Sequence, residues 1–277
     1  MVRKQNTFPV VALLSVVSLW GGCSSPTPQA GVTPELGVAS NDVTVVTWNV
    51  RGYPETQQSA RQWFTSELDG LHPDVICVQE IANQAKVDTF QTQEKHCASV
   101  AFYDSSDGQD NAIFADTRMT LEDLPDPTGF QHPAQAAYIA YRGFDAVVVT
   151  VHLSWTNVTW REREKTLLKE VVTEALRKDP DVIICGDFNT TEPGIDELAE
   201  AIGMQVMVPA GQEGVGTTHA GNRYDHFLIS PDLAREEAVS CRIVTFSGSD
   251  LTTAKKVSDH VPVVAVFRTD STFRDRN

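Results

Sequence analysis

Asp181-Val182-Ile183-Ile184-Cys185-Gly186-Asp187-Phe188-Asn189-Thr190 is an apolar, largely β-branched run that ends in a polar cluster. A short apolar run of this kind reads as a strand buried on both faces. A strand end is a rigid platform, so polar groups just past it are held in place for chemistry. The same signature recurs five times. Thr47-Trp48-Asn49-Val50 closes the run from Val43, and Val78-Gln79-Glu80 closes the run from Asp74. Val151-His152-Leu153 closes the run from Asp145. Arg223-Tyr224-Asp225-His226 opens the run to Ile229, and Val257-Ser258-Asp259-His260-Val261-Pro262-Val263 opens the run to Phe267.

Helical spacing appears between these runs. Ala60 to Leu71 carries Trp63, Phe64 and Leu68 on one side. Glu162 to Arg177 carries Leu167, Leu168, Val171, Val172 and Ala175, and it breaks before Pro180. Cys97 to Tyr103 and Ala112 to Ala115 are predicted strands on either side of a polar turn. Ala137 to Tyr141 and Asp145 to Leu153 form a hairpin through Arg142-Gly143-Phe144. Met204 to Val208 and Val239 to Phe246 complete the predicted strands. Hairpins among strand-helix units predict mixed sheets, hence a layered α/β domain.

The chain's 277 residues and 41% apolar content allow a sizeable core. Residues 1–22 stand apart from it. Arg3 and Lys4 precede an apolar run from Phe8 to Trp20 that is too short for a bilayer span. Gly21-Gly22-Cys23 follows as a small-residue cleavage point, so the segment reads as an export signal. Cysteine directly after the cut resembles a bacterial lipoprotein signal, with Cys23 acylated as a membrane anchor. Trp20 stands where that pattern usually has Leu, which leaves ordinary secretion with a spare Cys23 thiol as the alternative. Residues 23–42 are rich in Pro, Ser, Thr and Gly and read as a flexible tether. The domain is expected over 43–268, with a polar tail over 269–277.

Losing Arg3 and Lys4 with the leader takes the formal charge from −15 to about −17. That balance argues against tight nonspecific adhesion to nucleic acid but not against transient contact by an enzyme. Cys77 and Cys185 fall in apolar runs as small buried residues. Cys97 and Cys241 remain as a possible disulfide in an oxidising compartment. None of the cysteines has zinc-site spacing.

In this order and spacing, the WN, QE, HL, GDFN, YDH and SDH clusters resemble the endonuclease/exonuclease/phosphatase superfamily over roughly residues 43 to 268. The resemblance implies a four-layer α/β sandwich, two packed mixed β-sheets flanked by helices, with a site where strand ends meet. It implies hydrolysis of a phosphate ester with Mg²⁺ or Mn²⁺, oxygen ligands suiting both ions. Such esters repel nucleophiles, so water must be positioned, growing charge neutralised and the leaving oxygen protonated.

Each candidate has a bland reading beside the functional one. Glu80 is a strand-end surface charge or, by the resemblance, the metal ligand, with Asp259 near the metal. Asn49 is a turn residue or a phosphate contact. Asp187 and Asn189, two apart, face one side of an extended segment. They either form an Asx-type turn or serve as water base and phosphate donor. The resemblance pairs Asp225 with His260, making a cationic imidazole. His152 is a core histidine or the acid for the leaving alkoxide. Tyr occupies its place in abasic-site endonucleases, and His in deoxyribonuclease-, sphingomyelinase- and inositol-phosphatase-like members. Asp110 falls where the deoxyribonuclease branch carries an acidic partner for this His. His219 and Arg223 are rim or loop residues, His226 is structural, and Arg161 and Arg163 contact substrate or solvent. Trp155 and Trp160 stack on a base, enter a lipid interface, or pack.

The leading expectation is an exported phosphodiesterase acting as a nuclease. A sphingomyelinase-like phospholipid phosphodiesterase or an inositol-phosphate-type phosphatase is the second reading. A non-catalytic binding lipoprotein is the third.

Overall fold

A computed structural model describes residues 41–53, 57–105 and 108–269. The expected leader, Cys23, most of the tether and the tail beyond Thr269 lie outside the described residues. Two six-stranded sheets pack face to face. The first contains β1 (Val43–Asn49), β2 (Val75–Ile81), β3 (Ser99–Phe102), β4 (Asp110–Ala115), β11 (Ala238–Ile243) and β12 (Val263–Phe267), ordered β11-β12-β1-β2-β4-β3. The second contains β5 (Thr120–Asp123), β6 (Gln135–Tyr141), β7 (Phe144–His152), β8 (Val182–Asp187), β9 (Gln205–Val206) and β10 (Asp225–Ile229), ordered β5-β6-β7-β8-β10-β9.

Each sheet has one parallel pair at its centre, β1 with β2 and β7 with β8, and antiparallel partners around it. A parallel pair needs a crossover, and the helical patterns supply it. α1 (Gln58–Leu71) joins β1 to β2, and α3 (Val158–Lys178) joins β7 to β8. The carboxyl ends of all four central strands therefore point to one edge of the sandwich.

The core comes in three slabs. Between the sheets lie Val45, Cys77, Val148, Cys185 and Phe267 among others. α1 buries Ala60, Phe64 and Leu68 against the first sheet with Trp48 and Phe114, aided by α2 (Gln84–Gln93). α3 buries Leu168, Val172 and Ala175 on the second sheet, beside α4 (Gly194–Ile202) with Ile195, Leu198, Ala199 and Ile202. The four-layer sandwich expected above is the observed fold.

Three details differ. α3 starts a turn before the predicted Glu162, because the Asn157 side chain accepts a hydrogen bond from Trp160 N at 3.1 Å and caps it. The predicted strand at Met204 to Val208 shrinks to two residues, while β5, α2, α4, α5 (Pro231–Glu236) and α6 (Gly248–Val257) were not anticipated. Cys97 and Cys241 do not pair. They lie in different core slabs, and both thiols are free and buried. Among the described residues no helix is long and apolar enough to cross a membrane.

Candidate active site

Register brings the clusters together. Asp187 ends β8 between two partners, with His152 opposite it on β7 and Asp225 opposite it on β10. Gly186 makes this turn of the strand possible. Its φ is +133°, and a Cβ there would lie 2.1 Å from the Val151 carbonyl oxygen. Asn49 ends β1 beside Gln79 of β2. The β2–β4 ladder slips between Val78 and Ile81, a bulge that re-aims Glu80. Glu80 (φ +61°), Asn189 (φ +47°) and Arg51 (φ +49°) are non-glycine residues in left-handed backbone at this edge.

The side chains converge on Asp187 Oδ2. Asn49 Nδ2 donates to it at 3.3 Å and to Glu80 Oε1 at 2.9 Å. His260 Nε2 lies 3.5 Å from the same oxygen and His152 Nε2 lies 3.8 Å from it. His152 Nε2 is also 3.9 Å from Glu80 Oε1. Asp225 Oδ2 meets His260 Nδ1 at 2.7 Å, the pairing that the resemblance implied. Ser258 Oγ receives His260 N at 3.0 Å and donates to Asn49 O at 2.6 Å, fastening the loop before β12 to the end of β1. Two sheets and six loops thus meet at one point.

The electrostatics separate the two histidines. Burial opposes charge on His260, but Asp225, with Asp187 and Asp259, outweighs it and pushes the imidazole up to about 10. Burial raises Asp225 as well, so the pair retains a proton and His260 carries it at neutral pH. For His152, burial dominates and lowers the pKa below the ordinary histidine value. Asp187 acts in the opposite sense, and His132 adds to the lowering.

Other candidates fall differently. Asp187 Oδ1 accepts Asn189 N at 2.9 Å, so the Asx-type turn forms in addition to the site contact. Asn189 Nδ2 donates to Leu153 O at 2.8 Å and braces the segment after His152. Asp259 is exposed on the rim, 3.9 Å from Arg51 Nε. Asp110 is fully buried but accepts from Ser105 N at 3.2 Å, and it is not hydrogen-bonded to His152 Nδ1. Arg223 turns inward. It donates to the carbonyls of Val215 and Gln212 and to Glu192, which makes it a clamp on its loop. His226 Nε2 lies 3.1 Å from the carbonyls of Thr190 and Arg223, a structural position. His219 N pairs with Asp259 O beside the site. Arg161 reaches Ser154 O at 3.1 Å, and Arg163 sits 4.8 Å over the Trp160 ring. Sequence reasoning missed Arg51, His132 and Glu164. Of these, Glu164 left a signal, standing one turn before Leu168 on the inward stripe of α3.

Asp187, Asp225 and His260 are close enough to surround an ion. A protonated His260 has no lone pair to give, so this trio is better suited to hold a proton than a metal. Glu80 is partly open, with its carboxylate beside Asn49, and its oxygens fit a hard cation.

Solved structures share this fold. TDP2 from D. rerio, complexed with a single-strand DNA product, aligns with a TM-score of 0.64 and 18% identity, over 82% of this chain and 99% of that one. TDP2 from Caenorhabditis elegans gives 0.62 and 16%, over 82% and 98%. The mannosyl-6-phosphatase Bt3783 of Bacteroides thetaiotaomicron VPI-5482 gives 0.61 and 17%, over 81% and 99%. Comparison with curated proteins finds no match. The model of the Endonuclease/Exonuclease/phosphatase family matches from Val46 within β1 to His260, the span that holds every residue of the converging cluster, and the chain belongs to that family.

Proposed function

We propose that this chain is an exported, divalent-metal-dependent phosphodiesterase whose substrate is nucleic acid. The family's members are hydrolases acting on phosphate esters. The observation that carries the reading is the set of groups around Asp187 Oδ2: two imidazoles of opposite tuning, an amide and a partly open carboxylate. Glu80, with Asp259 on the rim, would hold Mg²⁺ or Mn²⁺, which when bound neutralises phosphoryl charge.

The chain's own groups then divide the work. Asp187 Oδ2 takes the proton of the attacking water. His260, kept cationic by Asp225, donates from Nε2 to a non-bridging phosphate oxygen as charge grows. Asn49 orients Asp187 and Glu80 through one amide, and Asn189 holds the strand end that carries His152. His152, whose imidazolium form Asp187 and Glu80 favour against burial, delivers its Nε2 proton to the leaving oxygen and is left as the neutral ring that burial prefers. Arg51, exposed at the rim, supplies a cation for an approaching phosphate.

Two observations support nucleic acid. Trp155 is 63% exposed three residues past His152, and Trp160 nearby is capped by Arg163, an aromatic and cationic rim suited to a base and its backbone. A structural neighbour was solved with a DNA product. The acidic chain makes such contact transient and salt-sensitive. The test is turnover of DNA, RNA, sphingomyelin, a phosphoinositide, a sugar phosphate and a simple diester, with Mg²⁺ and with EDTA. Cleavage of DNA or RNA only with metal is expected. Preference for a lipid or a monoester would replace the substrate, and inertness toward all would return the binding-lipoprotein reading.

Export and anchoring rest on Arg3, Lys4, the apolar run and Cys23. Cys23→Ser is expected to release the protein from the membrane fraction or block its processing. A soluble native protein with a free Cys23 thiol would remove the anchor.

A further inference from the structure

The His152 imidazole is held in an unusual way. It is 2% exposed, and among the described residues its Nδ1 has no hydrogen-bond partner. Catalytic imidazoles are ordinarily oriented by a bond from the second ring nitrogen to a carboxylate or carbonyl. Here the ring is instead covered by a second imidazole. His132 stacks on it with centroids 4.7 Å apart and planes 20° apart, and His132 is itself only 5% exposed.

One carboxylate links the two segments that carry these rings. Glu164 is completely buried, at a position of α3 where the stripe Leu168, Val172 and Ala175 calls for an apolar residue. Its Oε1 accepts Gln131 N at 2.7 Å, and its Oε2 accepts Ser154 N at 2.8 Å. Gln131 directly precedes His132, and Ser154 lies two residues after His152. A buried carboxylate is costly unless its oxygens are matched by donors, and these two amides supply the match. One side chain therefore fixes the separation of the two segments whose rings stack. Arg161, one turn earlier on α3, adds a bond to Ser154 O at 3.1 Å.

We infer that His132 and Glu164 are positioning residues for His152, with Glu164 clamping two loops and His132 setting the plane in which His152 presents Nε2 to the leaving oxygen. This rests on His152 being the acid proposed above. The stack does for orientation what a hydrogen bond does elsewhere, and a flat ring is what the position needs. A leaving group that departs without a proton has little use for an aligned acid, so the effect depends on the leaving group.

The test compares the full-length enzyme with H152A, H132A, H132F, E164Q and H132A/H152A on two diesters. One releases nitrophenolate and the other releases a nucleoside alkoxide. H152A is expected to lose about 100-fold in kcat on the alkoxide substrate and much less on the nitrophenyl one. H132A and E164Q should lose about tenfold or more in the same pattern. H132F, which restores a flat ring, should recover most of the loss, and H132A should cost nothing further in the H152A background. If H132A does not fold, E164Q and H132F carry the comparison. Equal losses on both substrates, full multiplication in the double variant, or wild-type rates in H132A and E164Q would overturn the inference while leaving an impaired H152A intact. A wild-type rate in H152A would remove the acid itself and this inference with it.

Discussion

Asp225→Asn isolates the charge that distinguishes the two histidines. The side chain is fully buried and its Oδ2 lies 2.7 Å from His260 Nδ1, so an amide of the same shape removes charge with little change in volume. His260 is held at about 10 against an ordinary 6.5. At about 1.4 kcal/mol per unit, that gap is roughly 5 kcal/mol of preference for the imidazolium. Once the charge is gone, burial, the strongest single influence on His260, draws the imidazole back toward neutrality near pH 7. The site then loses one cationic donor to the phosphate, a loss on the scale of 10²- to 10³-fold in kcat. The assay is kcat on a simple diester at pH 7 for wild type, D225N, H260Q and the double variant, with circular dichroism to confirm folding. The two single losses should be similar, and the double should be little worse than either. Wild-type turnover in D225N, or a double variant that loses the product of the single effects, would refute the pairing as the source of His260's charge.

Other predictions follow from the same geometry. Gly186→Ala places a Cβ against the Val151 carbonyl and should destabilise the fold by about 3 kcal/mol or more, read by denaturant unfolding; an unchanged midpoint would contradict the close β7–β8 approach. Glu80→Gln should raise the Mg²⁺ concentration needed for half-maximal activity at least tenfold while thermal stability stays near wild type; an unchanged metal requirement would move the ligand elsewhere. His260 has a folded pKa above its unfolded value, so its contribution to stability is full below about 6.5, declines as pH rises and is gone above about 10. Melting temperature across pH 6 to 11 should show this decline in wild type and not in D225N. Arg223→Ala, which frees the loop carbonyls of Gln212 and Val215, should raise KM more than it lowers kcat; the reverse split would place Arg223 at the phosphate.

The strands were legible because their interiors are unbroken apolar runs and their ends are abruptly polar, as at Val182 to Asp187. α2 and α6 were not, because they bury little beyond Val87 and Phe90, and Ala254 and Val257, leaving no stripe to read. α4 carried the spacing Ile195, Leu198, Ala199, Ile202, but in only nine residues. The site was legible as a set of clusters, not as a place. Nothing in the spacing of Asn49 and His260 says that β12 lies beside β1, and the family resemblance supplied only that the strand ends meet at one edge. Arg223 looked like a rim cation because its sequence neighbours are polar, yet its guanidinium is consumed by carbonyls that only the folded loop presents. Glu164 sits in the charged string Arg161-Glu162-Arg163-Glu164-Lys165 and reads as one more solvated residue until its helical phase is set against Leu168.

Glu80, Asn189 and Arg51 occupy left-handed backbone, where a side chain costs about 1–2 kcal/mol relative to glycine. Three such residues crowd the edge where Asn49, Asp187 and His260 converge, so the molecule is locally least content at its candidate site. Selection for heat resistance alone would favour glycine at these positions and would strip the site of a carboxylate, an amide and a cation in doing so. Thermal hardening of this protein is better sought on the outward faces of α2 and α6, polar helices whose shallow burial leaves room to add apolar contact without touching a reacting group.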